Sequence, residues 1–234
     1  MRAFLVAWRS LVSIYNELFL LIGVNLLWWL AGGFFIAAAI ILGWPLVEIG
    51  GPWWLAPFIA IPAGPATAAL ANVAHRAARD LHVDRTFFTD GLRQYWRKAL
   101  GVSALLALGD ALLILNILFY ISREGSPVQV LSLFFLVLLA YWLSVQIYVF
   151  PVLVGIKQPT VLGALKMALM MAFANPLFSA LIVVLAGLLS GLSVVLAVLV
   201  LVIWPTVVVM LGTHALKLMA EMAGIKPEDG NNAS

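Results

Sequence analysis

Long apolar runs parted by short polar clusters make up most of the chain, and their lengths predict membrane-crossing helices. A span needs roughly 20 apolar residues to cross about 30 Å of hydrocarbon. Six are expected, at 18–44, 53–73, 99–121, 130–154, 176–192 and 193–211. The fold class is therefore all-α: a polytopic membrane helical bundle forming one domain over 1–226. The last boundary rests only on Ala186-Gly187-Leu188-Leu189-Ser190-Gly191-Leu192-Ser193, an uncharged Gly/Ser stretch. A helical path through it would lower the count to five. Two segments have helical periodicity with a polar side and are expected to lie in the membrane interface. In the first, Phe4, Trp8, Leu11 and Tyr15 recur beside Arg2 and Arg9. In the second, 86–97, Phe88, Leu92, Tyr95 and Trp96 oppose Asp90, Arg93 and Arg97. The tail 227–234 offers nothing to bury and is expected to be disordered.

Charge sets the orientation. With six spans, Arg2, Arg9, Arg76, Arg79, Arg85, Arg93, Arg97, Lys98, Lys157, Lys166, Lys217 and Lys226 fall on one side and Arg123 alone on the other. The excess of Lys and Arg in short loops marks the cytoplasmic face, which puts both termini inside a plasma (inner) membrane. An odd count would move Lys217 and Lys226 outside. Trp44, Trp53 and Trp54 fall at the outer interface, Trp8 and Trp96 at the inner one, as aromatic belts do. Composition agrees: 65% of the 234 residues are hydrophobic and 10% charged, and mean hydropathy is +1.11. A soluble domain has about 25% charged residues. No cysteine is present, so neither a disulfide framework nor a thiolate metal site is available. Nothing in the charge pattern supports nucleic-acid binding.

Pro62-Ala63-Gly64-Pro65-Ala66-Thr67 interrupts the second span. Proline removes a backbone donor and crowds the preceding turn, so the second helix is expected to be broken at membrane depth. A half-helix starting near Pro65, with Gly64 and the Thr67 hydroxyl at its beginning, would present a positive dipole end to a ligand. The alternative is packing: Ala63, Gly64, Ala66, Ala68, Ala69 and Ala71 are small enough to admit a neighbouring helix. Asp110, about twelve residues into the third span, should lie near the bilayer centre, where an ionised carboxylate is costly. Two readings are open for it: a proton or cation site shared with Asn25, Asn116 or Gln146, or a protonated acid bonded between helices. His75, His82 and His214 lack zinc-ligand spacing, and no paired carboxylates, phosphate loop or nucleophile elbow is visible. Neither catalysis nor a metal or other cofactor is expected. A faint echo links Asn16-Glu17-Leu18-Phe19 to Asn175-Pro176-Leu177-Phe178, and Pro62 to Pro205, as internal repeats do in transporters.

Asn25-Leu26-Leu27-Trp28, the Gly64-Pro65-Ala66-Thr67-Ala68-Ala69-Leu70 run, Arg76, Phe87-Phe88, Gly91-Leu92 and Trp96 together resemble the YesL family, also described as the domain of unknown function DUF624. The resemblance is strongest from about Asn25 to Lys98; the later spans match mainly in length and topology. It implies a small bacterial integral membrane protein, often encoded beside carbohydrate ABC transporters and sensor kinases, with no catalytic residues to carry over. Three functions follow. The first expectation is a non-enzymatic accessory or assembly protein whose partners are the lipid bilayer and a membrane protein such as ABC transporter subunits, with homo-oligomerisation left open. The second is a small secondary transporter or channel built on the broken helix and Asp110, which a cavity joining the two would favour. The third, a lipid-binding or lipid-acting protein, would use the inner-face basic surface of Arg76, Arg79, Arg93, Arg97 and Lys98; positive-inside bias fits that surface better.

Overall fold

The computed structural model describes residues 18–79, 86–123, 126–156, 160–195 and 204–222, and these are helical apart from short turns. In chain order the helices are α1 (Leu18–Trp28), α2 (Phe34–Glu48), α3 (Ala56–Ile59), α4 (Ala63–Ala77), α5 (Thr86–Ile121), α6 (Leu131–Gly155), α7 (Val161–Ala174), α8 (Pro176–Val195) and α9 (Trp204–Met222). A π-helical turn, Trp29–Gly33, joins α1 to α2 without interrupting the span. Among the described residues three helical stretches are long and apolar enough to cross a membrane: Ile22–Glu48, Thr86–Ile121 and Pro127–Gly155. Two bent pairs, Trp53–Ile59 with Ala63–Ala77 and Val161–Ala174 with Pro176–Gly191, raise that to five if each is one span. Pro205–Ala220 is a shorter apolar helix. Leu30, Trp44, Leu133, Phe134 and Leu177 are exposed around the outside. This is a membrane protein whose outer surface contacts lipid.

Helix α4 is the centre of the bundle. Its alanines at 66, 68, 69, 71 and 74 are almost completely buried, and α5, α6, α9 and the π turn all pack against it. Side chains this small let backbones approach closely, which in lipid supplies the dispersion contacts that replace a hydrophobic drive between helices. Trp28 meets Thr67, Gly32 lies against Ala63 and Gly43 against Ala56, so α1–α2 and α3–α4 form an antiparallel hairpin. Its turn uses Gly50 at φ +65°, with the Gly51 amide donating to Leu46 O at 2.7 Å and the Gly50 amide to Val47 O at 3.2 Å. That is the double bond of a left-handed helix stop, which favours glycine.

The second helix is broken as the prolines predict, with a 53° bend between α3 and α4. Three other expectations need correction. Residues 86–97 do not form a separate helix on the membrane surface: they are the first third of α5, which runs unbroken for 36 residues, about 54 Å. Part of the apolar side of that segment packs on protein, while Trp96 stays exposed. Phe88, Gly91 and Tyr95 are buried, and Asn72 Nδ2 of α4 donates to Phe87 O at 2.9 Å. The Gly/Ser stretch 186–193 is helical and lies within α8, so it does not separate spans 176–192 and 193–211. Lipid offers backbone groups no partners, which keeps a glycine-containing stretch helical, and Ser190 Oγ donates back to Ala186 O at 2.7 Å. Finally, the expected spans leave out 161–174, which is an apolar helix that passes as a crossing together with Pro176–Gly191. Ala164, Ala168 and Ala172 are fully buried, and the stacked Tyr141 and Phe173 rings place α7 alongside α6. The expected amino-terminal amphipathic helix, the first copy of the repeat at 16–17 and the tail 227–234 lie outside the described residues.

Candidate functional site

The broken helix and Asp110 line one pocket of about 150 Å³. Each wall follows from helical spacing. Ser103, Leu106, Ala107 and Asp110 are at i, i+3, i+4 and i+7 of α5 and so share one face; Gln146 and Phe150 are one turn apart on α6. The third wall is the break itself, with Ile61, Gly64 and Thr67, and Ile36 of α2 closes the side. Gln146 Nε2 donates to Asp110 Oδ1 at 2.7 Å, tying α5 to α6 through a charge-capable pair.

Four of the six expected site residues thus come together: Gly64, Thr67, Asp110 and Gln146. The other two do not. Asn116 lies six residues beyond Asp110, about 240° around the helix, and its Nδ2 bonds to Leu112 O at 2.8 Å in its own helix. Asn25 is fully buried between the first and last helices, where its Oδ1 accepts from Thr206 N at 3.1 Å and from Thr206 Oγ1 at 2.6 Å. An asparagine of α1 therefore holds the first described turn of α9.

The start of α4 differs from the expected ligand cradle. The amides of Ala63 and Gly64 donate to Ala60 O and Ile61 O at 3.0 and 3.1 Å, and Pro65 has no amide proton, so the first-turn donors are already used. Thr67 Oγ1 donates to Ala63 O at 2.9 Å and accepts from Trp28 Nε1 at 3.2 Å. Gly64 serves close packing, since a Cβ there would stand 2.9 Å from the Ala99 carbonyl oxygen and collide with Ser103. What remains open to a ligand is the Asp110–Gln146 side.

The basic residues form a different region, more than two turns along α4 from the pocket. Arg76 stacks on the Phe87 ring at 3.9 Å and Arg97 lies over Trp96 at 5.1 Å. Arg93 and Arg97 are exposed, while Arg76, Arg79 and Lys98 are half-buried. Lys217 Nζ of α9 donates to Ala78 O at 3.2 Å, and Gly155 lies between His75 and Leu216, so α4, α6 and α9 end together at this side.

Ser103, Trp28 and Thr206 are the polar participants that the sequence did not single out. Ser103 had a signal in its seven-residue spacing from Asp110; the Trp28–Thr67 and Asn25–Thr206 bonds join residues 39 and 181 positions apart and have no local signature. Compared with known proteins, the chain matches no family model, no curated protein and no solved structure.

Proposed function

We propose that this chain is a non-enzymatic accessory or assembly protein of a bacterial plasma membrane, with six spans, cytoplasmic termini and YesL-type character, that packs against a transporter or sensor subunit. One observation carries this reading. Among the described residues, four pairs of polar side chains in the apolar helices tie helix to helix: Asn25 to Thr206, Trp28 to Thr67, Tyr148 to Ser179 and Asp110 to Gln146. Groups used in this way make a rigid scaffold with an apolar outer surface for a neighbour, and few are left to line a solute route. Affinity purification of the natively expressed protein from its own membranes in mild detergent tests it. A stoichiometric membrane-protein partner is the expected result; recovery of the protein by itself, monodisperse, would sink the accessory role.

The pocket favours a second reading, a small transporter or channel, because it joins the broken helix to Asp110 as such a site requires. Under it, Asp110→Asn abolishes flux in proteoliposomes while the protein still folds.

The common ending of α4, α6 and α9 supports an even number of crossings, with the bent pair α7–α8 as the fifth. The cysteine-free sequence makes this testable by single substitutions and a membrane-impermeant maleimide. On intact cells Ser122→Cys is expected to label and Ser234→Cys only after permeabilisation. Labelling of Ser234→Cys on intact cells would mean an odd count.

A further inference from the structure

The pocket between the broken helix and the α5–α6 pair has a chemistry of its own, independent of whether the protein conducts a solute or scaffolds a partner. Its polar lining is rich in acceptors. The Asp110 carboxylate has about four lone-pair sites; the Gln146 amide occupies one and the Trp142 indole N–H approaches a second, which leaves about two. Gln146 donates through Nε2, so its amide oxygen remains an acceptor, and the Ser103 hydroxyl lies on the same face. Among the described residues, no Lys, Arg or His lines the pocket. The rest of the wall is apolar, with Ile36, Ile61, Leu106 and Phe150.

We propose that this pocket binds a small organic ammonium ion, with the Asp110 carboxylate as counter-charge, Gln146 as a second acceptor and the apolar wall holding the alkyl part. Competing chemistries fit less well. An anion would meet the carboxylate and find no cation in the lining. A hard metal ion demands about six oxygen ligands, whereas here a carboxylate, an amide and two hydroxyls share the wall with hydrocarbon. An alkylammonium needs one charge partner, one or two acceptors and an apolar wall, and the Phe150 ring adds a surface that attracts cations. Size limits the ligand: a cavity of about 150 Å³ takes a molecule of about six heavy atoms, the size of benzene. Ions from ethylammonium to pentylammonium fall within that limit; tetrabutylammonium does not.

This inference rests on the pocket and not on the accessory role, so the test reads binding alone. Purified full-length protein in lipid nanodiscs is titrated with n-butylammonium chloride and followed by calorimetry, with n-pentanol, butyrate and sodium as comparators. Saturable millimolar or tighter binding of butylammonium is expected, with exclusion of tetrabutylammonium and no saturable binding of butyrate. Asp110→Asn, nearly isosteric, should weaken it about tenfold or more, as loss of a charge-assisted hydrogen bond does. Should Asp110→Asn not fold, Gln146→Met provides the same test by removing the second acceptor, with a several-fold loss expected. Equal binding of n-pentanol and butylammonium would reduce the pocket to an apolar void. Displacement of butylammonium by lower concentrations of sodium would make it an inorganic cation site, and unchanged affinity in a folded Asp110→Asn protein would place the binding elsewhere. Each of these three results overturns the proposal. Recovery of a partner protein leaves the ammonium site standing, and its failure leaves the accessory role standing.

Discussion

Gly64→Ala is expected to destabilise the bundle by about 1–3 kcal/mol, although it adds a single methyl group. The added carbon would stand 2.9 Å from the Ala99 carbonyl oxygen and run into the Ser103 side chain. Neither α4 nor α5 can retreat easily. Helix α4 is enclosed on several sides, and Ala99 is fully buried. Alanine is otherwise the better helix former by about 1 kcal/mol, so a loss of stability must come from overpacking. Gly187→Ala supplies the control, since among the described residues nothing lies within 4 Å of the position its Cβ would take. Thermal unfolding of the two variants in the same detergent should show a fall of several degrees for the first and none for the second. Gly64→Ala combined with Ser103→Gly should recover part of the loss, leaving the carbonyl contact. Equal melting temperatures for Gly64→Ala and wild type would mean that α4 and α5 are free to separate and that close packing is not why glycine stands in the break.

The same glycine shows how far the sequence could be read. Pro62 and Pro65 announced the break, because proline acts on its own backbone and needs no knowledge of the fold. The small residues around Gly64 announced close packing for a similarly local reason. Which helix would come close was not written locally: Ala99 and Ser103 lie more than thirty positions away. The apolar stripe of 86–97 was visible, yet its partner was misassigned, because a stripe that buries against lipid and one that buries against α4 have the same period. Asn72 reaching Phe87 O decides for that part of the stripe, and that contact joins two helices fifteen positions apart in sequence. The Gly/Ser stretch 186–193 misled for a physical reason as well. Turn propensities reflect competition with water, and a helix in lipid has no water to compete.

Gln146 was legible as one of three candidate partners for Asp110, because polar residues in apolar helices are few and tend to find one another. Asn116 failed by angle, since its position on α5 turns it away from the face that Asp110 occupies. Asn25 was visible as a polar residue at depth, but its role was not. Its partner belongs to the last helix, and the sequence does not show which helices of a bundle touch.

Asn25→Leu is expected to be the most damaging polar substitution, weakening the fold by about 1–3 kcal/mol for each buried donor left unpaired. Two donors depend on one side-chain oxygen, the Thr206 amide at 3.1 Å and the Thr206 hydroxyl at 2.6 Å, and both residues are buried. Bonds between membrane helices contribute on average about 0.6 kcal/mol when both partners are side chains, because each finds other company when the bond is lost. The Thr206 hydroxyl can rotate toward another acceptor in that way. Its amide cannot, because its direction is fixed by the backbone. Thr206→Val, which removes the hydroxyl and keeps the amide, should therefore be the milder change. Unfolding free energies for Asn25→Leu, Thr206→Val and the double variant separate the two bonds. Most of the Asn25→Leu loss should persist in the Thr206→Val background, where only the amide is at stake. If the Asn25→Leu loss disappears there, the hydroxyl carries the whole tie and the amide needs nothing from α1. If it persists, a single side chain of α1 holds the first described turn of α9 through its backbone, which also explains why α1 and α9 remain together across 181 residues.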